Sequence, residues 1–267
     1  QIWRGEGGYN GKSTQKNVML HMLGDYTIEV PIEVFIRKNA DYKSDDMVEF
    51  QNKRYVFASE SEDGAILNDS LLKKVTGNDW LRCRPLYSNE WYKFPATFKL
   101  VIISNHPLAV YDTGDPFWDR LHYIDYKFSF KGSLENKGLE DALKVEAPGI
   151  LNWMVQGCLL WQNDGLEAPE TVQIATAKYR ETQNKIKRFL QDGDVTWPIM
   201  ASSLKVKYKN WCDDEGAKML GPTRFNEEMK RQGYTYTHIA TGRYWHLPGC
   251  PGNNPCRCAS IARLDVP

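Results

Sequence analysis

A glycine-rich segment near the start of the chain constrains its fold more than any other feature. Residues 5–14 read Gly-Glu-Gly-Gly-Tyr-Asn-Gly-Lys-Ser-Thr, and a helix-compatible segment from Gln15 to Leu23 follows directly. Glycines let successive backbone N–H groups turn inward, the helix offers a positive N terminus, and a lysine reaches the outer phosphates. The segment predicts a phosphate-binding loop; a glycine-rich surface turn is the alternative.

This loop implies ATP and Mg²⁺ as cofactors, with the Ser13 hydroxyl as a Mg²⁺ ligand. Strict counting of the loop pattern puts Glu6, rather than a glycine, at the first position, so the loop is one residue longer or accepts a carboxylate there. The residues predicted to bind the nucleotide are Gly7, Gly8, Asn10, Gly11, Lys12, Ser13 and Thr14.

Polar side chains follow two further strand-like runs. Residues 53–59 form a short apolar run that ends in Glu60 and Glu62, as expected of a buried parallel strand that delivers acids to its carboxyl edge, where ligands bind. Either acid would meet the Mg²⁺ and polarise the attacking water, whereas the alternative is an N-cap cluster for the next helix. Residues 98–105 end in Asn105, which would hold that water beside the γ-phosphate; ordinary turn chemistry is the alternative.

Residues 79–94 interleave aromatic side chains with cations and predict a β-hairpin. This composition suits a single strand of nucleic acid, which binds by base stacking and phosphate neutralisation. Alternatively, the aromatic side chains pack on the hairpin's own sheet. Further along, Arg120 would normally be a solvated residue, but in a ring it would reach the ATP of the neighbouring subunit.

Composition narrows the remaining classes. Lysine plus arginine and aspartate plus glutamate both total 34, so any nucleic-acid site is local. No apolar run approaches the length needed to span a bilayer, so we expect no membrane partner. The six cysteines are scattered through the chain, which favours a reducing, cytoplasmic location. For a virus- or phage-encoded chain this would be the cytoplasm of the host cell. Near the C terminus His246, Cys250, Cys256 and Cys258 are candidate zinc ligands, but their spacing is not that of a standard finger and favours unliganded thiols.

With these pieces in this order, the chain resembles the superfamily 3 helicases, specifically the primase-helicases of phages, plasmids and poxviruses. The resemblance covers about the first half of the chain. It rests on five motifs: 7–14, Ala-Ser-Glu-Ser-Glu-Asp-Gly at 58–64, Lys-Lys-Val-Thr-Gly-Asn-Asp at 73–79 with Arg84, Phe-Lys-Leu at 98–100 with Asn105 and Pro107, and Trp-Asp-Arg at 118–120.

The resemblance implies an AAA+-type ATPase core in hexameric rings, with ATP between subunits and a hairpin that tracks DNA, as a single strand or a fork. Lys12 and Ser13 match the Walker A lysine and Mg²⁺ ligand, Glu60 (less surely Glu62) the Walker B acid, Asn105 the polar sensor and Arg120 the arginine finger. Lys73, Arg84 and Lys93 lie in the segment that includes the DNA-facing hairpin. Two departures are Tyr9, which looks inserted, and Asp119, where relatives often carry a second arginine.

The predicted fold is therefore α/β: a three-layer, AAA+-like P-loop core with a parallel sheet over 1–147, a helical segment over 148–192, and a small winged-helix domain over 193–267. Apolar periodicity predicts helices over 65–75 and 170–190, and helix–helix–hairpin over 202–247. The winged helix would bind DNA or dock to a protein. Only Gln1-Ile2-Trp3 precede the loop, so we expect a fragment of a longer polypeptide with an upstream primase or polymerase part.

The function predicted from the sequence is that of an ATP-driven DNA helicase or translocase that takes part in the replication of a phage, virus or plasmid. A nucleotide-assembled replication initiator that binds DNA without unwinding it is one alternative. A P-loop kinase of small molecules, active as a monomer, is the other.

Overall fold

The computed structural model describes residues 1–37, 44–59, 65–77, 79–85, 87–111, 114–215, 217 and 219–250. Contacts divide the chain into two compact units, Gln1–Gln183 and Asn184–Pro267. Among the described residues, no helix combines the length and the apolar character needed to cross a bilayer.

The first unit is a mixed α/β structure around a five-stranded parallel sheet. The strands of this sheet are β1 (Ile2–Arg4), β2 (Thr27–Pro31), β3 (Tyr55–Ser59), β6 (Lys99–Ser104) and β7 (Tyr123–Asp125), in the order β2-β3-β6-β1-β7. A separate antiparallel pair consists of β4 (Trp80–Cys83) and β5 (Tyr92–Pro95). The helices are α1 (Lys12–Leu23), α2 (Asp69–Thr76), α3 (Asp115–Trp118), α4 (Leu139–Val145), α5 (Ala147–Asp164) and α6 (Glu170–Gln183).

The sheet is buried on both faces, as its nearly continuous apolar strands predict. Side chains alternate along each strand, so Ile102 of β6 joins a cluster that includes Val75 of α2, while Ile103 joins a second cluster with Met19 of α1. Helices thus cover each face. The carboxyl ends of β1, β6 and β7 meet, because Arg4 pairs in register with Ser104 and with Asp125.

Two helices differ from the sequence-based bounds. The helix predicted over 65–75 begins only at Asp69, because Ile66 and Leu67 form β-bridges with Ala109 and Ile36. The helix predicted over 170–190 is interrupted at Asn184, whose side chain accepts a hydrogen bond from Lys187 N and caps a new helix, α7 (Lys185–Asp192).

The second unit combines α7 with two helices, α8 (Ala201–Asp214) and α9 (Pro222–Arg231), and a three-stranded antiparallel sheet. The sheet is ordered β8-β10-β9, from β8 (Ile199–Met200), β9 (Thr235–Ile239) and β10 (Gly242–His246). Its core includes Phe189, Leu204, Tyr208, Phe225 and Trp245, which are almost fully buried. Helix, helix and hairpin follow one another in the predicted order.

Candidate nucleotide site and nucleic-acid hairpin

The glycine-rich loop joins β1 to α1 at the carboxyl edge of the parallel sheet. Gly5 N donates to Ser104 O over 3.3 Å, which fixes the start of the loop beside β6. Gly7 and Gly8 then adopt φ values of +73° and +78°, where an L side chain is strained. The backbone conformation therefore explains why glycine occurs at these two positions. The loop leads directly into the N terminus of α1.

Tyr9, which looked inserted, is accommodated by the same left-handed path. Its φ is +55°, unusual for a residue with a side chain, and its ring is 53% exposed. The segment after β7 holds this turn in place, because Phe130 N donates to Tyr9 O over 2.8 Å. The extra residue is therefore absorbed in an outward turn, and the loop still ends at the first turn of α1.

Lys12 lies at the centre of the site. Its side chain is buried, and Nζ donates to Gly5 O (3.1 Å), Asn10 Oδ1 (2.7 Å) and Asn105 Oδ1 (3.1 Å). Burial, and secondarily the positive charge of Arg4, lowers the pKa of the Lys12 ammonium. The structure therefore brings together three predicted site residues, Lys12, Asn10 and Asn105, from the segments that follow the neighbouring strands β1 and β6.

Gly5 permits this arrangement and was missed as a site residue. A Cβ built on Gly5 would collide with Asn10 Nδ2, and it would lie 2.7 Å from Lys12 Nζ and 2.8 Å from Asn10 Cγ. Counting back from Gly-Lys-Ser with one extra residue makes Gly5 the first glycine of the loop, which is the sequence signal that identifies it.

The remaining predicted ligands lie around this centre or outside the described residues. Ser13 is exposed in the first turn of α1, directly after Lys12, and Thr14 is half-buried beside it. Ser59 is the last residue of β3, the strand that pairs with β6. Glu60 and Glu62 lie outside the described residues, so a Mg²⁺ site built from Ser13 and Glu60 stays a prediction.

Arg120 lies near the amino ends of the parallel strands, whereas the glycine-rich loop lies at their carboxyl ends. It follows α3 and precedes Tyr123, the first residue of β7, which pairs with Ile2 at the start of β1. Its Nη1 donates to Lys73 O (3.2 Å) in the last turn of α2, and its side chain lines a small cavity of about 40 Å³ with Ile2 and Leu100. Within one copy of the chain, Arg120 and Lys12 are therefore on opposite edges.

The β4–β5 hairpin presents an exposed face of aromatic and cationic side chains. Trp80 and Trp91 are 56% and 52% exposed, while Leu81 and Phe94 point inward and are buried. Arg82 stacks over Trp91 with 4.1 Å between the guanidinium carbon and the ring centroid. Both tryptophans thus contact cations of their own hairpin and still expose about half of their surface, and binding of nucleic acid by this face stays a prediction.

The predicted DNA contacts divide between this hairpin and α2. Arg84 lies 5.4 Å from the Trp91 centroid, and Lys93 Nζ lies 5.1 Å from the Trp80 centroid. Lys73 belongs to α2, where its carbonyl accepts from Arg120. Trp80 was not among the predicted DNA contacts, although its period-2 spacing from Arg82 and Arg84 is the signal that predicts a shared face for these three residues.

The candidate zinc ligands are only partly described. His246 Nε2 lies 2.7 Å from Thr237 Oγ1 on the neighbouring strand, and Cys250 is buried. Cys256 and Cys258 lie outside the described residues. Among the residues that the structure describes, no cluster of three or more histidine, cysteine or acidic side chains could hold a metal ion.

Comparison with known proteins gives only a distant structural likeness. No family model matches the chain, and no curated protein matches it. Among solved structures, two apo structures of the A form of the NrS-1 C-terminal region match with TM-scores of 0.46 and 0.47, each at 11% identity. The match covers 91% of this chain and 65% of each of those chains, less than two thirds of their length. At this level the likeness identifies neither a family nor an activity.

Proposed function

We propose that this chain carries the ATPase core of a ring-forming DNA helicase or translocase, which hydrolyses ATP between subunits. The observation that carries the proposal is the convergence of Lys12 Nζ on the Asn105 amide oxygen, 3.1 Å apart, at the end of a glycine-rich loop. Ligands of parallel α/β sheets bind at this carboxyl edge. The strand–loop–helix order around Lys12 is the context that a P-loop requires.

In the proposed site, backbone N–H groups of Gly7 to Thr14 hold the triphosphate. Lys12 now donates to three neutral oxygens, Gly5 O, Asn10 Oδ1 and Asn105 Oδ1, and phosphate oxygens are stronger acceptors for the same protons. Mg²⁺, held by Ser13 and Glu60, would neutralise charge on the phosphates. Asn105 orients the attacking water, and Glu60 (or Glu62) polarises it.

The position of Arg120 supports a site shared between copies. A guanidinium at the amino edge of the sheet is on the opposite side from Lys12 of its own chain, so it serves an ATP only when two copies pack edge to edge. Heterologous contacts of this kind form a ring when the rotation between copies closes and a filament when it does not, and we propose a closed hexamer. Because Asp119 stands beside it, Arg120 acts as a single arginine finger.

The hairpin face supports a single strand of DNA as the partner. Arg82 and Lys93 are directly opposite in the ladder, on the exposed face, and like charges at such a pair repel. A phosphate backbone relieves that repulsion, and the exposed Trp80 and Trp91 rings offer flat surfaces for bases. In this proposal Arg84 and Lys93 contact phosphates and the two tryptophans stack on bases; Lys73, on α2, is a further DNA contact.

We propose a winged helix for the second unit, since α8, α9 and the β9–β10 hairpin follow in that order. Its exposed cations favour DNA, with docking to a protein as the alternative; they are Lys205, Lys207, Lys209, Arg224, Lys230 and Arg231. The proposal also includes a role in phage, virus or plasmid replication, a cytoplasmic location, and a primase or polymerase part upstream in the same polypeptide. We also propose the domain boundaries 147/148 and 192/193. For His246, Cys250, Cys256 and Cys258 we propose unliganded side chains, with a zinc site as the minor alternative.

The first test is ATP hydrolysis by Lys12→Ala, with Lys99→Ala as the matched control at the other end of β6. We expect Lys12→Ala to abolish hydrolysis and Lys99→Ala to keep it, because only Lys12 faces the loop. Full turnover in Lys12→Ala would refute the ATP site. Two further measurements separate the alternative functions. Mass measurement in the presence of ATP tests for a kinase, which would hydrolyse ATP as a monomer without DNA. An unwinding assay on a forked duplex tests for an initiator, which would assemble on DNA but would not unwind it.

A further inference from the structure

Two exposed aromatic rings lie beside the glycine-rich loop. Tyr9, the extra residue of the loop, exposes 53% of its surface, and Phe130, in the segment that follows β7, exposes 49%. Lys131 Nζ lies 5.9 Å from the centroid of the Tyr9 ring, within the range of a cation–π interaction. Neither ring is buried in the core, so both are accessible to a ligand that occupies the loop.

The segment that carries Phe130 is fixed along the length of the loop. At the start of the loop, Tyr126 N donates to Arg4 O over 2.7 Å, and in its middle Phe130 N donates to Tyr9 O over 2.8 Å. At its end, Tyr126 OH donates to Gln15 Oε1, in the first turn of α1, over 2.6 Å. A ligand that meets a preorganised surface loses less binding free energy to ordering it. The backbone that carries both rings is therefore in place before a ligand binds.

The order of the strands indicates which part of a nucleotide reaches these rings. Strand β1 lies between β6 and β7, so the loop after β1 has the segment after β6 on one side and the segment after β7 on the other. The β6 side carries Asn105, whose amide oxygen accepts from Lys12 and which orients the attacking water in the proposed site. The γ-phosphate therefore belongs on the β6 side. A triphosphate that crosses the end of β1 then directs its nucleoside toward β7, where Tyr9 and Phe130 lie.

We infer that Tyr9 and Phe130 form the surface on which the base of the bound nucleotide stacks, and that Tyr9 makes the site selective for purine nucleotides. This inference rests on the proposed ATP site. Base–aromatic stacking needs no hydrogen-bond readout, and the two fused rings of a purine offer a larger face than the single ring of a pyrimidine. Tyr9 is an insertion relative to the strict loop pattern, so this contact is a property of this chain and not of the pattern.

The test compares two ligands of the loop in the presence of Mg²⁺. One is a non-hydrolysable ATP analogue, and the other is inorganic tripolyphosphate, which offers phosphates without a base. Isothermal titration calorimetry gives the affinity of wild type and of Tyr9→Ala for each. We expect Tyr9→Ala to bind the analogue about 10-fold more weakly, the scale of one stacked base, and to bind tripolyphosphate as tightly as wild type does.

Two matched variants separate the ring from the backbone. Tyr9→Phe keeps the ring and should bind both ligands as wild type does. Tyr26→Ala removes an aromatic ring that is 58% exposed just before β2, at the amino ends of the strands, and should also bind both normally. Alanine at residue 9 keeps an L side chain at the same φ of +55°, so the turn itself changes little, which thermal unfolding checks.

The base can also be varied directly. Wild type should bind the analogue of a purine triphosphate more tightly than that of a pyrimidine triphosphate, and Tyr9→Ala should reduce this difference. Equal affinity of wild type for the two analogues would overturn the assignment of Tyr9 as a selectivity residue.

The remaining outcomes distinguish this inference from the proposed function. An equal loss of affinity for the analogue and for tripolyphosphate would overturn the inference, because Tyr9 would then act only on the shape of the loop. Weaker binding of single-stranded DNA by Tyr9→Ala, with unchanged affinity for the analogue, would overturn it by assigning the ring to a base of DNA. A wild type that binds neither ligand would reject the proposed ATP site itself, and this inference with it.

Discussion

Substitution of Gly5 by alanine probes the geometry that positions Lys12. The added Cβ would lie 2.7 Å from Lys12 Nζ and 2.8 Å from Asn10 Cγ, closer than real Cβ contacts allow. The nearest atom to the added Cβ belongs to the Asn10 amide, so the buried Asn10 side chain and the Lys12 ammonium must both shift, which breaks the hydrogen bonds from Lys12 to Gly5 O and Asn10 Oδ1.

The expected loss follows from the displaced ammonium. A hydrogen bond to a charged group is worth about 1.5–3 kcal/mol, and each 1.4 kcal/mol is about a factor of ten in affinity. We therefore expect Gly5→Ala to weaken binding of a non-hydrolysable ATP analogue by about 10- to 100-fold, measured by isothermal titration calorimetry. The monomer should stay folded, because overpacking at one site costs about 1–3 kcal/mol.

The matched control is Gly221→Ala. Gly221 has φ −63°, and nothing lies within 4 Å of its built Cβ, so alanine is accepted there without strain. Affinity should stay at the wild-type value in this control. A folded Gly5→Ala protein that binds the analogue as tightly as wild type would refute the idea that the start of the loop sets the position of Lys12.

Three further perturbations test separate parts of the account. Trp91→Ala should weaken single-stranded DNA binding by about 1–3 kcal/mol, the value of one stacked base, in fluorescence anisotropy; Tyr26→Ala, at an exposed aromatic outside the hairpin, should bind normally. Because burial and Arg4 lower the pKa of Lys12, nucleotide affinity should decline with rising pH earlier than for an ordinary lysine, and Arg4→Gln should shift the decline to higher pH; an unshifted profile would contradict that coupling. Asn184→Ala removes a helix cap and should cost about 1 kcal/mol of stability in urea unfolding; an unchanged midpoint would count against the cap.

The architecture around the site follows from local sequence signals. The apolar runs that end in Ser104 and Ser59 are strands of the sheet, and the alternation in Trp80 to Cys83 is a hairpin strand. Period-2 patterns and glycine-rich turns depend on only a few neighbouring residues, so both can be predicted from the sequence alone. The three-residue strand β1 is too short to predict by periodicity, and its place between β6 and β7 depends on distant pairing.

What the sequence could not predict depends on tertiary contacts. The break at Asn184 occurs within an amphipathic pattern that reads as continuous helix, but its amide donates to Glu228 Oε1 over 3.0 Å, a residue far along the chain. Likewise, the collision that excludes a side chain at Gly5 involves atoms of Asn10 and Lys12 brought together by folding. The exposure of α5 also escapes prediction, because an apolar helix by itself reads as core.

Complementation between two inactive variants tests the shared site most directly. Lys12→Ala copies keep Arg120, and Arg120→Ala copies keep Lys12, so neither alone should hydrolyse ATP. When the two are mixed in equal amounts, about one quarter of the interfaces in a randomly assembled ring join an intact Lys12 to an intact Arg120. We predict that the mixture recovers hydrolysis to about that fraction of wild type. A mixture as inactive as its parts, or an Arg120→Ala protein that is fully active alone, would contradict the account.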